Sequence, residues 1–195
     1  MSEDTYHPSL VDNHPDFFVV LTGCSGGGKS SLLAELGRRG HPVFEEPGRQ
    51  IVKEQLHIGG DALPWSDIGK FVALAVSRSM HNMILAARAG CLAFFDRGIV
   101  DQLGGLEHAN LPVPDYLAEA ARRFRYNNTV FAAPPWPEIF RNDEERRHGF
   151  EDAAASYAPL LATYRRLGHE VVEVPRLAVE ARADFVLARL PSRLL

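Results

Sequence analysis

The sequence predicts one α/β domain built on a parallel sheet, and three observations carry that reading. Short apolar runs recur along the 195 residues, with helical stretches between them. The first of these runs, Phe17 to Leu21, is apolar throughout rather than alternating, as expected of a strand covered on both faces. The first run leads directly into the octet Gly23-Cys24-Ser25-Gly26-Gly27-Gly28-Lys29-Ser30. That spacing, G-x-x-x-x-G-K-S, is a phosphate-binding loop, in which glycines turn the backbone so that successive N–H groups face phosphate oxygens. The expected architecture is therefore a three-layer P-loop fold, a five-stranded parallel sheet flanked by helices.

The elements follow in order. Phe17 to Leu21 reads as a buried strand, and Ser31 to Arg39 as a helix whose positive dipole end faces the bound anion. His41 to Phe44 is a short second strand ending at Glu45-Glu46, and Gly48 to Leu56 is helical until Gly59-Gly60 and Pro64 break it. Ser66 to Ala89 is the longest periodic segment, with Ile68, Val72, Ala75, Val76, Met83 and Ala87 on one stripe, Ser66 as N-cap and Gly90 as terminator. Cys91 to Phe95, Thr129 to Ala132 and Glu170 to Val174 complete the strands, and a last helix spans about 177–190. Residues 1–16 read as a flexible arm, and 17–195 as a single kinase-like domain with a lid at about 137–152.

Composition is ordinary for a soluble globular protein, 46% hydrophobic and 24% charged. The net charge of −4 gives no electrostatic footprint for nucleic acid or anionic membrane. No apolar run approaches the roughly 20 residues of a membrane span. Two cysteines are too few for a disulfide framework, which points to a reducing cytoplasm. Cys24, inside the loop, reads as a small spacer, with a redox switch as the alternative. The histidines show no metal-ligand spacing.

In such a sheet ligands bind at the carboxyl ends of the strands, so the residues there carry the chemistry. The cradle is Gly23, Ser25, Gly26, Gly27, Gly28, Lys29, Ser30 and Ser31. Lys29 is expected to bridge the β- and γ-phosphates of ATP and Ser30 to ligate Mg²⁺. Asp96, closing an apolar strand, is the second Mg²⁺ residue, since hard cations take oxygen ligands. Arg97 follows it where hydrolytic motors place a glutamate, and a guanidinium suits phosphate oxygens rather than activation of water. Glu46 is the candidate general base for an acceptor hydroxyl, with capping of the next helix as the alternative. Arg141 and Arg146, in a charge-dense segment running to Arg147, are the candidate lid arginines that stabilise charge during transfer; a solvated helix start laced with ion pairs is the other reading. Gln55, His57, Trp65, Arg78 and Asp101 are weaker candidates for the acceptor cleft. No Asn-Lys-x-Asp guanine-reading motif occurs, which favours ATP as donor.

Glu46-Pro47 after one strand resembles deoxynucleoside kinases, and Asp96-Arg97 after another resembles thymidylate kinases. From Phe17 to Leu190 the chain is similar to a family of small bacterial P-loop predicted ATPases of AAA-like type, related to the nicotinamide riboside kinase domain. The likeness rests on the loop, Glu46 to Arg49, Phe95 to Gly98, Pro135 to Arg141 with Asp143 to Arg146, and Val174-Pro175, in that order. Asp96 stands where deoxynucleoside kinases carry Glu, and Gly98 where they carry Ser. The resemblance implies nucleotide binding, with the base held between the lid and the turn at Pro175 and Arg176. Three functions fit: a kinase acting on a small nucleoside- or vitamin-like acceptor, an ATPase or nucleotide-gated regulator of a protein partner, and a module that binds nucleotide without turnover.

Overall fold

The computed structural model describes residues 6–141 and 149–194. Its strands are β1 (Phe18–Gly23), β2 (Val43–Phe44), β3 (Ala93–Asp96), β4 (Thr129–Ala133) and β5 (Glu170–Glu173). All pair in parallel, in the order β2-β3-β1-β4-β5. β1 is therefore central, and the chain builds outward to β3 and β2 on one side and to β4 and β5 on the other. The order reverses at β1, which places a crevice at the carboxyl ends of β3, β1 and β4.

Burial on both faces explains the unbroken apolar runs. Phe18 and Val20 of β1 point into one core and Val19 and Leu21 into the other, the period of two along a strand. The first core is closed by α3 (Ile68–Ala89), α4 (Ile99–His108), α5 (Asp115–Arg123) and α7 (Tyr157–Arg166). The second is closed by α1 (Lys29–Arg38) and α8 (Val179–Leu187). α2 (Pro47–Ile58) lies on α3, and the short α6 (Phe150–Ala155) precedes α7. The three-layer P-loop architecture is the one expected.

Boundaries differ where local chemistry decides them. α1 begins at Lys29 rather than Ser31, because Gly28 in the left-handed conformation (φ 80°) already serves as its N-cap. Asp67, not Ser66, caps α3: its Oδ1 accepts from the Lys70 N–H at 3.0 Å, while Ser66 is held in the preceding turn by its N–H to Leu63 O. The stripe Val72, Ala75, Val76, Met83 and Ala87 is buried as expected, and Gly90 ends the helix at φ 64°. α4 was hidden in the sequence by Gly104-Gly105. Gly104 lets α7 pack closely, since a Cβ there would lie 2.9 Å from Leu160 Cδ1 and that side chain would have to shift. The described part of the N-terminal segment forms 3-10 turns at Pro8–Asn13 and Pro15–Phe17, and Val11, 2% exposed, joins the core beneath α3.

Candidate active site

Gly23 closes β1 against β4, and only glycine fits: its φ is 107°, and a Cβ would fall on the backbone of Ala133. The Cys24 N–H donates to Ala133 O at 2.9 Å, so β4 braces the start of the loop. The loop then enters α1, whose first residue, Lys29, is buried with Nζ donating to Cys24 O at 2.9 Å. Burial lowers the pKa of this ammonium, Arg97 adds repulsion, and the Asp96 and Glu46 carboxylates oppose both. Lys29 thus spans its own loop, its head close to the place where a phosphate would lie.

Asp96 ends β3 at 2% exposure. Its Oδ2 accepts from Ser30 Oγ at 3.1 Å, while Oδ1 is buried with no hydrogen-bond partner. Burial raises its pKa to about 6 against the pull of Lys29. An unpartnered, desolvated carboxylate oxygen beside a serine hydroxyl fits a hard cation such as Mg²⁺, which takes oxygen ligands. The expected pairing of Ser30 with Asp96 is present in space.

Arg97 adopts φ 64°, a left-handed conformation unusual for a side chain of this size. The turn folds its guanidinium back over the strand end. Nε lies 3.0 Å from Glu46 Oε1 and Nη1 3.0 Å from Asp101 Oδ1. Burial pulls the arginine pKa down, but Glu46, Asp101 and Asp96 outweigh it and raise it. Asp101 is itself buried and saturated: Oδ1 also accepts from Thr22 Oγ1 at 2.7 Å, and Oδ2 from Tyr164 Oη at 2.6 Å and Gly98 N at 2.8 Å. The network spans β1, β3, α4 and α7, so the direction of Arg97 is set by the core of the domain.

Three cavities open on these groups, the smallest of them, about 320 Å³, bordered by Ser30, Glu46, Lys53 and Asp96. One, about 830 Å³, has Gly28, Lys29, Ser30 and Asp96 on one side and Trp136 and Arg182 on the other. Ser25, Gly26 and Ser31 also face it. The second, about 590 Å³, is lined by Trp65, Phe71, Arg97, Gln102 and Asp152. Ser25, Glu46 and Arg49 border both. Arg141 reaches the wall of the first cavity, with Nη1 donating to Phe140 O at 2.8 Å. Arg146 and Arg147 lie outside the described residues.

Of the weaker acceptor candidates, Trp65 and Asp101 border the second cavity. Gln55 accepts from Ala62 N at 3.2 Å, Arg78 grips Glu54 at 2.7 Å, and His57 is exposed near the end of α2. Sequence reasoning missed Phe71, Gln102 and Arg182. Arg182 alone left a trace, four residues before Val186 and so on the apolar stripe of α8. No helix among the described residues is long and apolar enough to cross a membrane.

No curated protein matches the chain. Among solved structures it is similar to a NadR protein in complex with NR: TM-score 0.68, 18% identity, covering 93% of this chain and 53% of that one. The chain thus spans about half the length of that relative. It is also similar to a deoxyadenosine kinase from M. mycoides with products dCMP and dCDP bound (TM-score 0.62, 16% identity, 89% and 98% coverage). A thymidylate kinase from Ehrlichia chaffeensis follows at TM-score 0.57 and 14% identity, with 89% and 97% coverage. At these identities the likeness shows a shared nucleotide-kinase-like fold. Residues 18–182 match the AAA domain family. The chain belongs to that family of P-loop proteins.

Proposed function

We propose that the protein is a phosphotransferase that moves the γ-phosphate of Mg-ATP to a small nucleoside- or vitamin-like acceptor. The observation that carries this reading is the meeting of two cavities at Glu46. One holds the phosphate loop and the other, an open cleft of about 590 Å³ walled by Trp65 and Phe71, has room for a second molecule. Hydrolysis needs room only for water. The kinases among the structural neighbours support the same class of chemistry.

Lys29 exchanges the Cys24 carbonyl for phosphate oxygens, and the loop N–H groups hold the rest of the triphosphate. Ser30 and Asp96 hold Mg²⁺, which supplies charge neutralisation at the phosphates. Glu46 orients the acceptor hydroxyl and takes its proton while that oxygen bonds to the γ-phosphorus and the β–γ bridging bond breaks, releasing ADP. Arg97 holds the Glu46 carboxylate in position at the junction. Arg141, at the described edge of the 137–152 segment, and Arg146 are proposed to close over the phosphates as parts of a lid. The absence of a guanine-reading motif supports ATP as donor. Cys24 and Cys91 form no disulfide with each other, which supports a cytoplasmic setting.

The test is ATP consumption screened against nucleosides, vitamins and sugars, with product mass measured. One acceptor is expected to gain 80 Da (one HPO₃) as ATP becomes ADP, a transfer that Glu46→Ala abolishes. Acceptor-independent hydrolysis faster than about 1 s⁻¹, an ordinary enzyme turnover, overturns the kinase reading in favour of an ATPase or nucleotide-gated regulator.

A further inference from the structure

Arg182 is a buried cation that meets no anion among the described residues. The residue is 4% exposed, and no carboxylate among the described residues pairs with it. Its Nη2 donates to Gly28 O, and the guanidinium carbon lies 5.7 Å from the centre of the Trp136 ring. Nε is buried with no partner at all. A carbonyl dipole and an indole face compensate little of what an arginine loses on leaving water; a buried cation ordinarily requires a carboxylate or phosphate. Desolvation accordingly lowers its pKa, and no carboxylate opposes it. The neighbouring arginines of the chain are served differently: Arg39 reaches Asp184 and Glu35, and Arg97 reaches Glu46 and Asp101.

The position of Arg182 says which anion completes it. The first cavity crosses the carboxyl edge of the sheet, from Glu46 after β2 and Asp96 after β3, over the loop after β1, to Trp136 after β4 and Arg182 in α8 after β5. The transferred phosphate must lie toward Glu46, where the second cavity begins. The nucleoside end of the same ligand then lies toward β4 and β5, and the first phosphate on that side falls beside Gly28 and Arg182. Contact with the loop is already close, since a Cβ on Gly28 would meet Arg182 Nη1 at 2.6 Å.

We propose that Arg182 is an anion receptor for the phosphate nearest the ribose, taking its oxygens in place of the Gly28 carbonyl when nucleotide binds. Trp136 lies against the planar fork, the unpartnered Nε is left over as a donor for an anion oxygen, and α8 carries the contact. This inference rests on the proposed placement of the nucleotide, but not on transfer to an acceptor.

The test uses the whole chain without acceptor. Titration calorimetry with ATP, ADP, AMP and adenosine is compared for the native protein, Arg182→Lys and Arg182→Met, alongside melting temperatures without ligand. Arg182→Met is expected to weaken ATP, ADP and AMP at least tenfold each and to leave adenosine within twofold. Its melting temperature stays level or rises, because an unpaired buried charge is removed. Arg182→Lys recovers part of the lost affinity. Equal loss for adenosine and AMP, or a fall in melting temperature with unchanged phosphate dependence, assigns Arg182 a structural role and overturns the inference. A native protein that binds none of the four ligands overturns it together with the nucleotide reading. Phosphate-dependent loss in a protein that transfers to no acceptor upholds Arg182 and removes only the kinase.

Discussion

Arg97 Nε lies 3.0 Å from Oε1 of Glu46, so the candidate base and the arginine that follows Asp96 form one ion pair. Asp101 holds the other side of the guanidinium, so Arg97 brackets Glu46 from a position fixed by the core.

Glu46→Gln is expected to lower kcat by about 10²–10⁴, the range for loss of a general base, with KM for ATP within threefold. Arg97→Lys removes the two-sided fork and lowers kcat by a smaller factor. Steady-state kinetics on the identified acceptor decide this. Full activity in Glu46→Gln means that another group takes the proton.

Asp101→Ala deletes a buried carboxylate that serves Thr22, Tyr164, Gly98 and Arg97 at once. Four donors lose their acceptor, and the chain should lose about 3–5 kcal/mol in urea unfolding, the cost of breaking a buried charge pair. A loss under 1 kcal/mol would show that water replaces the carboxylate without penalty.

Asp96→Asn separates stability from function. Burial raises the carboxyl from 3.8 to about 6, so at neutral pH its charge works against the fold. The substitution is expected to stabilise the ligand-free protein by about 1–3 kcal/mol while abolishing the extra thermal stabilisation that Mg²⁺ adds to nucleotide. Retention of that Mg²⁺ increment in differential scanning calorimetry would remove Asp96 from the metal site.

Glu35 links α1 to its own C-terminal arginines, accepting from Arg38 Nε at 2.8 Å and Arg39 Nε at 2.7 Å. These bonds hold its carboxyl at about 2, below the ordinary 4.5. A depressed folded-state value means the contribution is full above 4.5 and is lost as pH falls toward 2. Glu35→Gln should therefore lower the melting temperature at pH 7, with the difference shrinking between pH 4.5 and 2. A pH-independent difference would assign the effect to packing.

Much of this molecule was legible because its central strands are covered on both faces. Phe18 to Leu21 and Ala93 to Phe95 are apolar for that reason, and their ends mark where the loop and Asp96 emerge. α4 was not legible, since Gly104 answers to the approach of Leu160, which lies 56 residues away. Phe71 and Gln102 gave no signal, for a cavity wall assembled from α3 and α4 has no local pattern.

The sequence by itself determined the phosphate loop, the five strands and the pairing of Ser30 with Asp96, because each is local or follows from a motif whose geometry the backbone imposes. Tertiary structure alone decided the strand order, the bracketing of Arg97 by Glu46 and Asp101, and the burial of Arg182 against Gly28. Those contacts join residues 51, 4 and 154 positions apart. Even the shortest depends on the buried acid that Thr22 and Tyr164 hold in place, and burial, not spacing, sets what a charge must find.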